Sequence, residues 1–293
     1  IVAIVLFFQK RVVERKVYTM TQGRAPAATR VRSWTAVLYT SGVGLIIFIS
    51  LLPLIVVFIA AVTKTSGPVM QWGQWSLASM QRALHGAPEP ILNSLKFASL
   101  ATVLGVAFAV LVSYLTIKKR SASTQVLDYI VVLPLTISGT VLGIALVQTF
   151  NTGWLVLAGT SGIMVLCYTV RRLPFAVRNA SSVLFNIPES IEEASISLGV
   201  SPLMTFFKVI LPAMKASIIS AAILMWLTTI SELSASIVAY SGGLETMPIA
   251  IFRQVDGGRL GMASAYGAAL VTVIVLPIIV SVKAFRIKLF SGK

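Results

Sequence analysis

Cysteine and histidine each occur once, as Cys167 and His85, and acidic side chains number only 9 against 24 lysines and arginines. One cysteine excludes a disulfide within the chain, and its place in an apolar run makes it packing material. A lone histidine with no Cys or acidic cluster at ligand spacing argues against a metal site. The phosphate-cradling pattern G-x-x-x-x-G-K-[ST] is missing: Gly292 and Lys293 have neither the leading glycine nor a following Ser or Thr. No nucleophile stands with a base. The chain therefore reads as no enzyme, with no catalytic or metal residues and no cofactor of its own.

Hydrophobic residues are abundant, at 57% of the 293 positions, whereas charged ones make up 11%. Mean hydropathy is +0.91, far above that of a water-soluble domain. Apolar runs reach the roughly 20 residues that a helix needs to cross a bilayer, without the alternation of a membrane barrel. An all-α membrane protein is predicted, with spans at about 36–62, 93–117, 127–150, 152–170, 214–240 and 260–282. Residues 1–35, from IVAIVLFF through a basic stretch, read as the end of a preceding span and a linker. Residues 36–293 then form the six-span domain.

Basic residues alternate across these spans. Lys10, Arg11, Arg15, Lys16, Arg24, Arg30, Arg32, Lys118, Lys119, Arg120, Arg171, Arg172, Arg178, Lys208, Lys215, Lys283, Arg286, Lys288 and Lys293 fall on one side, which is nineteen of the 24. The positive-inside rule makes that side, and both ends, cytoplasmic. Topology thus accounts for the net charge of +15, and nucleic acid is not needed as a partner. Trp72 and Trp75 read as interfacial anchors, Pro53, Pro134 and Pro277 as kinks within spans, and Gly139 and Gly143 as a close helix contact.

The longest internal cytoplasmic segment, 171–212, has helical grammar. Asn186 is predicted to cap a helix whose first turns carry Glu189, Glu192 and Glu193. Ile187, Ile191, Ala194 and Leu198 give it one apolar face. Gly199 closes the helix in the left-handed region, and Ser201 with Pro202 opens a second one bearing Leu203, Phe206, Phe207 and Ile210. A helix lying on lipid usually carries Lys and Arg, whereas this one presents carboxylates. A protein groove is its expected partner.

Glu193, Ala194, Ser195, Gly199, Leu211 and Pro212 stand at the spacing of a loop signature, Glu-Ala-Ala, three residues, Gly, nine residues, Ile-x-Leu-Pro. Ser195 replaces the second alanine and Val209 the isoleucine. The loop resembles that of permease subunits of binding-protein-dependent ABC importers with the type I fold. The resemblance implies that Glu193, Ala194, Ser195, Gly199, Leu211 and Pro212 belong to a coupling helix seated on a dimeric cytoplasmic ATPase, which holds ATP and Mg. It further implies a second permease half, fused or separate, and a periplasmic or lipid-anchored substrate-binding protein, in a bacterial inner membrane.

Glu232 is the acidic residue deep in a span, where an ionised carboxylate costs about 2.5 to 3.5 kcal/mol unless paired. It is expected to face the bundle, bonded to Thr228, Ser231 or a neighbouring helix, or else to line the route of a cationic group. The sequence around it and around Gly139 resembles the ferric iron branch of these permeases, near those for 2-aminoethylphosphonate. The competing expectation is half of an ion-driven secondary transporter with Glu232 as coupling carboxylate.

Overall fold

A computed structural model describes residues 33–119 and 121–284. The expected basic linker before residue 33 and the C-terminal Arg286, Lys288 and Lys293 lie outside them. By contacts the chain divides into residues 1–55 and 56–293. Helix α1, Ser33–Ala61, begins in the first and contains Pro53 without ending there.

In the second unit a two-stranded antiparallel hairpin comes first, β1 (Thr63–Ser66) and β2 (Val69–Trp75), turned at Gly67 with φ of 59°. Trp72 and Trp75 are exposed on β2. Next come α2 (Ala78–Gln81) and α3 (Glu89–Lys118), with Pro90 and Glu89 in the first turn of α3 and Lys118 in its last. That arrangement suits both the proline and the helix dipole. The chain continues through α4 (Ala122–Val132), α5 (Gly139–Thr149), α6 (Ser161–Phe185), α7 (Glu189–Ser197), α8 (Pro202–Thr205) and α9 (Leu211–Ala213). It ends with α10 (Lys215–Ile230), α11 (Ser236–Ala239), α12 (Met247–Asp256) and α13 (Leu260–Ala284).

Among the described residues three helices are long and apolar enough to cross a membrane, Val37–Ala61, Glu89–Lys118 and Leu260–Ile279. Two bent pairs bring the number to five if each is one span: Ala122–Leu135 with Gly139–Thr149, at 112°, and Pro202–Ala213 with Lys215–Ile230, at 70°. Six straight spans are therefore not what forms. The run expected over 127–150 breaks because Pro134 sits in a 3-10 turn, after which Ser138 caps a new helix by accepting from Val141 N. The run expected over 214–240 stops at Ile230, just before Glu232. The predicted loop start at residue 171 is also corrected, since α6 passes through Arg171, Arg172 and Pro174 unbroken.

The core lies where α3 and α6 pack together. Phe97 and Ala101 meet Ile163, Met164, Cys167 and Tyr168 there, joined by Ala235 and Ala239 at the two ends of α11. In hydrocarbon such helices associate through close packing, not exclusion of water, so small residues matter. A Cβ at Gly143 would stand 2.8 Å from Ala235 O, which confirms the close approach expected of that glycine.

Candidate functional site

The signature residues form a helical hairpin hung from the end of α3. Asn186 does not cap α7. It closes α6, its side chain donating to Ser182 O at 2.9 Å, and Pro188 stands at the N-cap of α7. Lys118 Nζ donates to Ile187 O at 2.9 Å, and Tyr114 Oη donates to Glu192 Oε1 at 2.5 Å. The last two turns of α3 thus hold the α6–α7 junction through Lys118 and α7 itself through Tyr114. Phe206 packs edge-on against Tyr114 with ring centroids 4.8 Å apart.

Gly199 has φ of 85°, as expected, with Val200 N bonded back to Ser195 O and Gly199 N to Ile196 O. A Cβ there would meet nothing within 4 Å, so the need for glycine is conformational. Ser201 caps α8 by accepting from Met204 N. Ser195 and Thr205, both buried, share a 2.9 Å hydrogen bond that ties the two helices together. A π turn, Phe206–Ile210, follows and delivers Ile210 and Met214 into a core with Ala180 and Leu184. Leu211 is half-buried and Pro212 exposed.

The outward surface of this hairpin differs from a purely acidic face. Glu192 is turned inward and satisfied by Tyr114, whereas Glu189, Glu193 and Ala194 face out. Beside them Leu198 is 85% exposed and Leu203 72%, with Ile191, Ile196 and Phe207 also exposed. The apolar stripe of α7 is left uncovered, while its polar residues Glu192 and Ser195 are the buried ones.

The second cluster surrounds Glu232, 3% exposed in the break between α10 and α11. Arg171 Nε donates to its Oε2 at 2.9 Å, and Arg172 Nη2 donates to the same oxygen at 2.5 Å. Ala235 N donates to Oε1 at 3.3 Å. Of the expected partners the neighbouring helix is the right one, since Thr228 and Ser231 bond only backbone carbonyls of their own helix. Arg172 Nη2 also donates to Thr228 O. Both arginines escaped the sequence reading because adjacent basic residues after an apolar run signal a loop. The clue was chemical: a single buried carboxylate in a span requires a cation.

At the start of α3, away from the hairpin, a cleft of about 690 Å³ is lined by Arg82, Glu89, Glu245, Gln254, Arg259 and Tyr266. Glu245 accepts from Arg253 at 2.6 Å, which holds the guanidinium above its ordinary value.

Residues 101–287 match the family described as the binding-protein-dependent transport system inner membrane component. The chain is 28% identical over 188 residues to the ferric transport system permease protein FbpB of Actinobacillus pleuropneumoniae, covering 64% of this chain but 27% of that protein. It thus spans about a quarter of that relative's length. It is 30% identical over 226 residues to a protein named for 2-aminoethylphosphonate transport, the permease PhnV of Salmonella paratyphi A, covering 76% of this chain and 83% of that one. The crystal structure of a bacterial ABC transporter involved in the import of the acidic polysaccharide alginate aligns with a TM-score of 0.65 at 16% identity, over 91% of this chain and 100% of the matched chain. The fold is that of an ABC importer permease.

Proposed function

The chain belongs to the family of binding-protein-dependent transport system inner membrane components, and we propose that it is the membrane subunit through which an ATP-driven importer passes a small solute into the cytoplasm. The observation that carries this reading is the hairpin α7–α8. It is tied to Tyr114 and Lys118 and leaves Ile191, Leu198 and Leu203 exposed among the described residues. An apolar helix face next to a span, flanked by carboxylates, fits a groove on a protein better than a headgroup layer. In this role Glu193, Ala194, Gly199, Leu211 and Pro212 set the docking geometry, and Ser195 locks the hairpin internally. ATP and Mg belong to the docked ATPase dimer.

Counting each bent pair as one crossing, and α6 as another, supports a six-crossing arrangement with both ends on one side, and the distribution of basic residues favours the cytoplasm for that side. Arg171, Arg172 and Arg178 together keep α6 from qualifying as a span by charge and hydropathy, but Glu232 neutralises one of the first two. The cleft lined by Arg82, Glu89 and Glu245 lies at the opposite end of α3, a helix of 30 residues. At 1.5 Å per residue that is about 45 Å from the hairpin, so the cleft suits an external binding protein. A second permease half completes the route, and ferric iron or 2-aminoethylphosphonate, the cargoes for which the relatives are named, are the candidate solutes. An ion-coupling role for Glu232 fits poorly, because two arginines already occupy its carboxylate.

The test is reconstitution with the ATPase and the binding protein. ATPase association and ATP-dependent uptake are expected to fall together in Gly199→Asp and Glu193→Lys. Retention of both activities in both variants would remove the coupling assignment.

A further inference from the structure

Arg171 and Arg172 hold different positions around Glu232. Arg172 is enclosed by the fold: its Nη2 serves both Glu232 Oε2 and Thr228 O, and its Nε is buried without a partner and out of reach of a solute. Arg171 gives only its Nε to Glu232, and among the described residues its two terminal nitrogens make no hydrogen bond. Two guanidinium groups against one carboxylate leave one positive charge over. No other carboxylate among the described residues pairs with either arginine.

The position is deep. Two residues before Arg171, Thr169 Oγ1 reaches Ala101 O at 3.5 Å, and Ala101 is near the middle of the span Glu89–Lys118. An uncompensated charge at that depth is costly, and such residues face a cavity or an ion route and not lipid.

Two interruptions of regular backbone converge on the same guanidinium. A Cβ at Gly139, the first residue of α5, would stand 2.7 Å from Arg171 Nη1 and 2.7 Å from Ser234 Cβ. Thus the break before α5 and the break after α10 both adjoin Arg171. Irregular backbone at membrane depth persists where it is buried in protein or lines a watery cavity. Thr136, Ser138, Thr140, Ser231 and Ser234 are exposed along these breaks, a polar surface amid apolar spans. The amino end of α5, with backbone N–H groups that lack helical partners, adds positive potential of the same sign.

We propose that Arg171 is the anion-binding group of the solute route, and that the cargo carries an oxyanion such as a phosphonate. Glu232 and Arg172 are positioning residues: their pair fixes the Arg171 guanidinium through Nε and leaves its outer N–H edge free for two oxygens of the cargo. A phosphonate suits that edge because a guanidinium donates two parallel hydrogen bonds to such a group. A bare metal cation would be repelled. The inference rests on the permease reading above and narrows its cargo.

The experiment uses the full chain with its ATPase and binding protein in proteoliposomes, offered 2-aminoethylphosphonate or inorganic phosphate as oxyanion probes and ferric ion as the cation probe. Wild-type complex is expected to take up an oxyanion probe and not ferric ion. Arg171→Gln keeps the Glu232–Arg172 pair, so the complex is expected to assemble with its ATPase while oxyanion uptake falls at least about tenfold. Arg171→Lys, which restores charge without the fork, is expected to recover part of the loss. Uptake of ferric ion in preference to both oxyanions, or oxyanion uptake in Arg171→Gln equal to wild type, would overturn the proposal while leaving the permease reading intact. Failure of the wild-type chain to bind an ATPase would overturn the permease reading itself and, with it, the proposal.

Discussion

The phenol of Tyr114 donates a 2.5 Å hydrogen bond to the carboxylate of Glu192, joining the last turns of the span α3 to the short helix α7. Glu192 is 8% exposed, so its charge is held inside the fold and not offered to a partner. With Lys118 bonded to Ile187 O, this contact lets motion of the hairpin reach α3 directly.

Replacing Tyr114 with Phe leaves that buried carboxylate short of a donor, at a cost of about 1 to 3 kcal/mol. Because the contact joins hairpin to span, the variant is expected to hydrolyse more ATP per solute moved, and parallel measurement of uptake and hydrolysis checks this. Glu192→Gln keeps an acceptor for the phenol and is expected to stay close to wild type.

Gly199→Ala is expected to lower thermal stability modestly, since a left-handed residue with a Cβ costs about 1 to 2 kcal/mol. Space is not the obstacle, as nothing lies within 4 Å of the added atom. Gly199→Asn, better tolerated in that region, is expected to lose less, and melting curves of the detergent-purified protein rank the two.

Gly143→Ala tests close packing instead of conformation. Its Cβ would stand 2.8 Å from a backbone oxygen that cannot rotate away, Ala235 O. Overpacking of this kind costs about 1 to 3 kcal/mol, so a drop in melting temperature is expected although alanine favours helices.

Glu232→Gln leaves two guanidinium groups without their carboxylate, and removal of one partner from a buried pair costs about 3 to 5 kcal/mol. Poor folding is expected. Adding Arg172→Gln is expected to restore part of the loss, because Gln–Gln needs no counter-charge, and a double-mutant cycle on stability reads the coupling.

The hairpin was legible in the sequence because local rules govern it. Gly199, Ser201 and Pro202 act on their own backbone, and a pattern of seven or eight residues contains the whole cause. Asn186 misled because a residue that caps can serve the helix behind it as readily as the one ahead. The Glu232 cluster was half legible: the carboxylate announced a partner, but Arg171 and Arg172 lie 61 and 60 residues away and resembled a loop boundary. Hydropathy counted six spans and missed the breaks, since nothing in an apolar average distinguishes a straight helix from one recapped at Ser138 or interrupted at Glu232. The β1–β2 hairpin lies between the spans expected at 36–62 and 93–117, where a four-residue strand with polar residues around Ser66 and Gly67 carries no hydropathy signal.

The central claim, that the α7–α8 hairpin seats on an ATPase, is tested most directly by cross-linking from its exposed tip. Leu198→Cys places a thiol at a position 85% exposed, with the native Cys167 buried, and Leu224→Cys, 55% exposed on α10, serves as the comparison. With a short bifunctional reagent and the co-expressed ATPase, position 198 is expected to give a permease–ATPase adduct and position 224 none. No adduct from position 198, or equal adducts from both, would contradict the account.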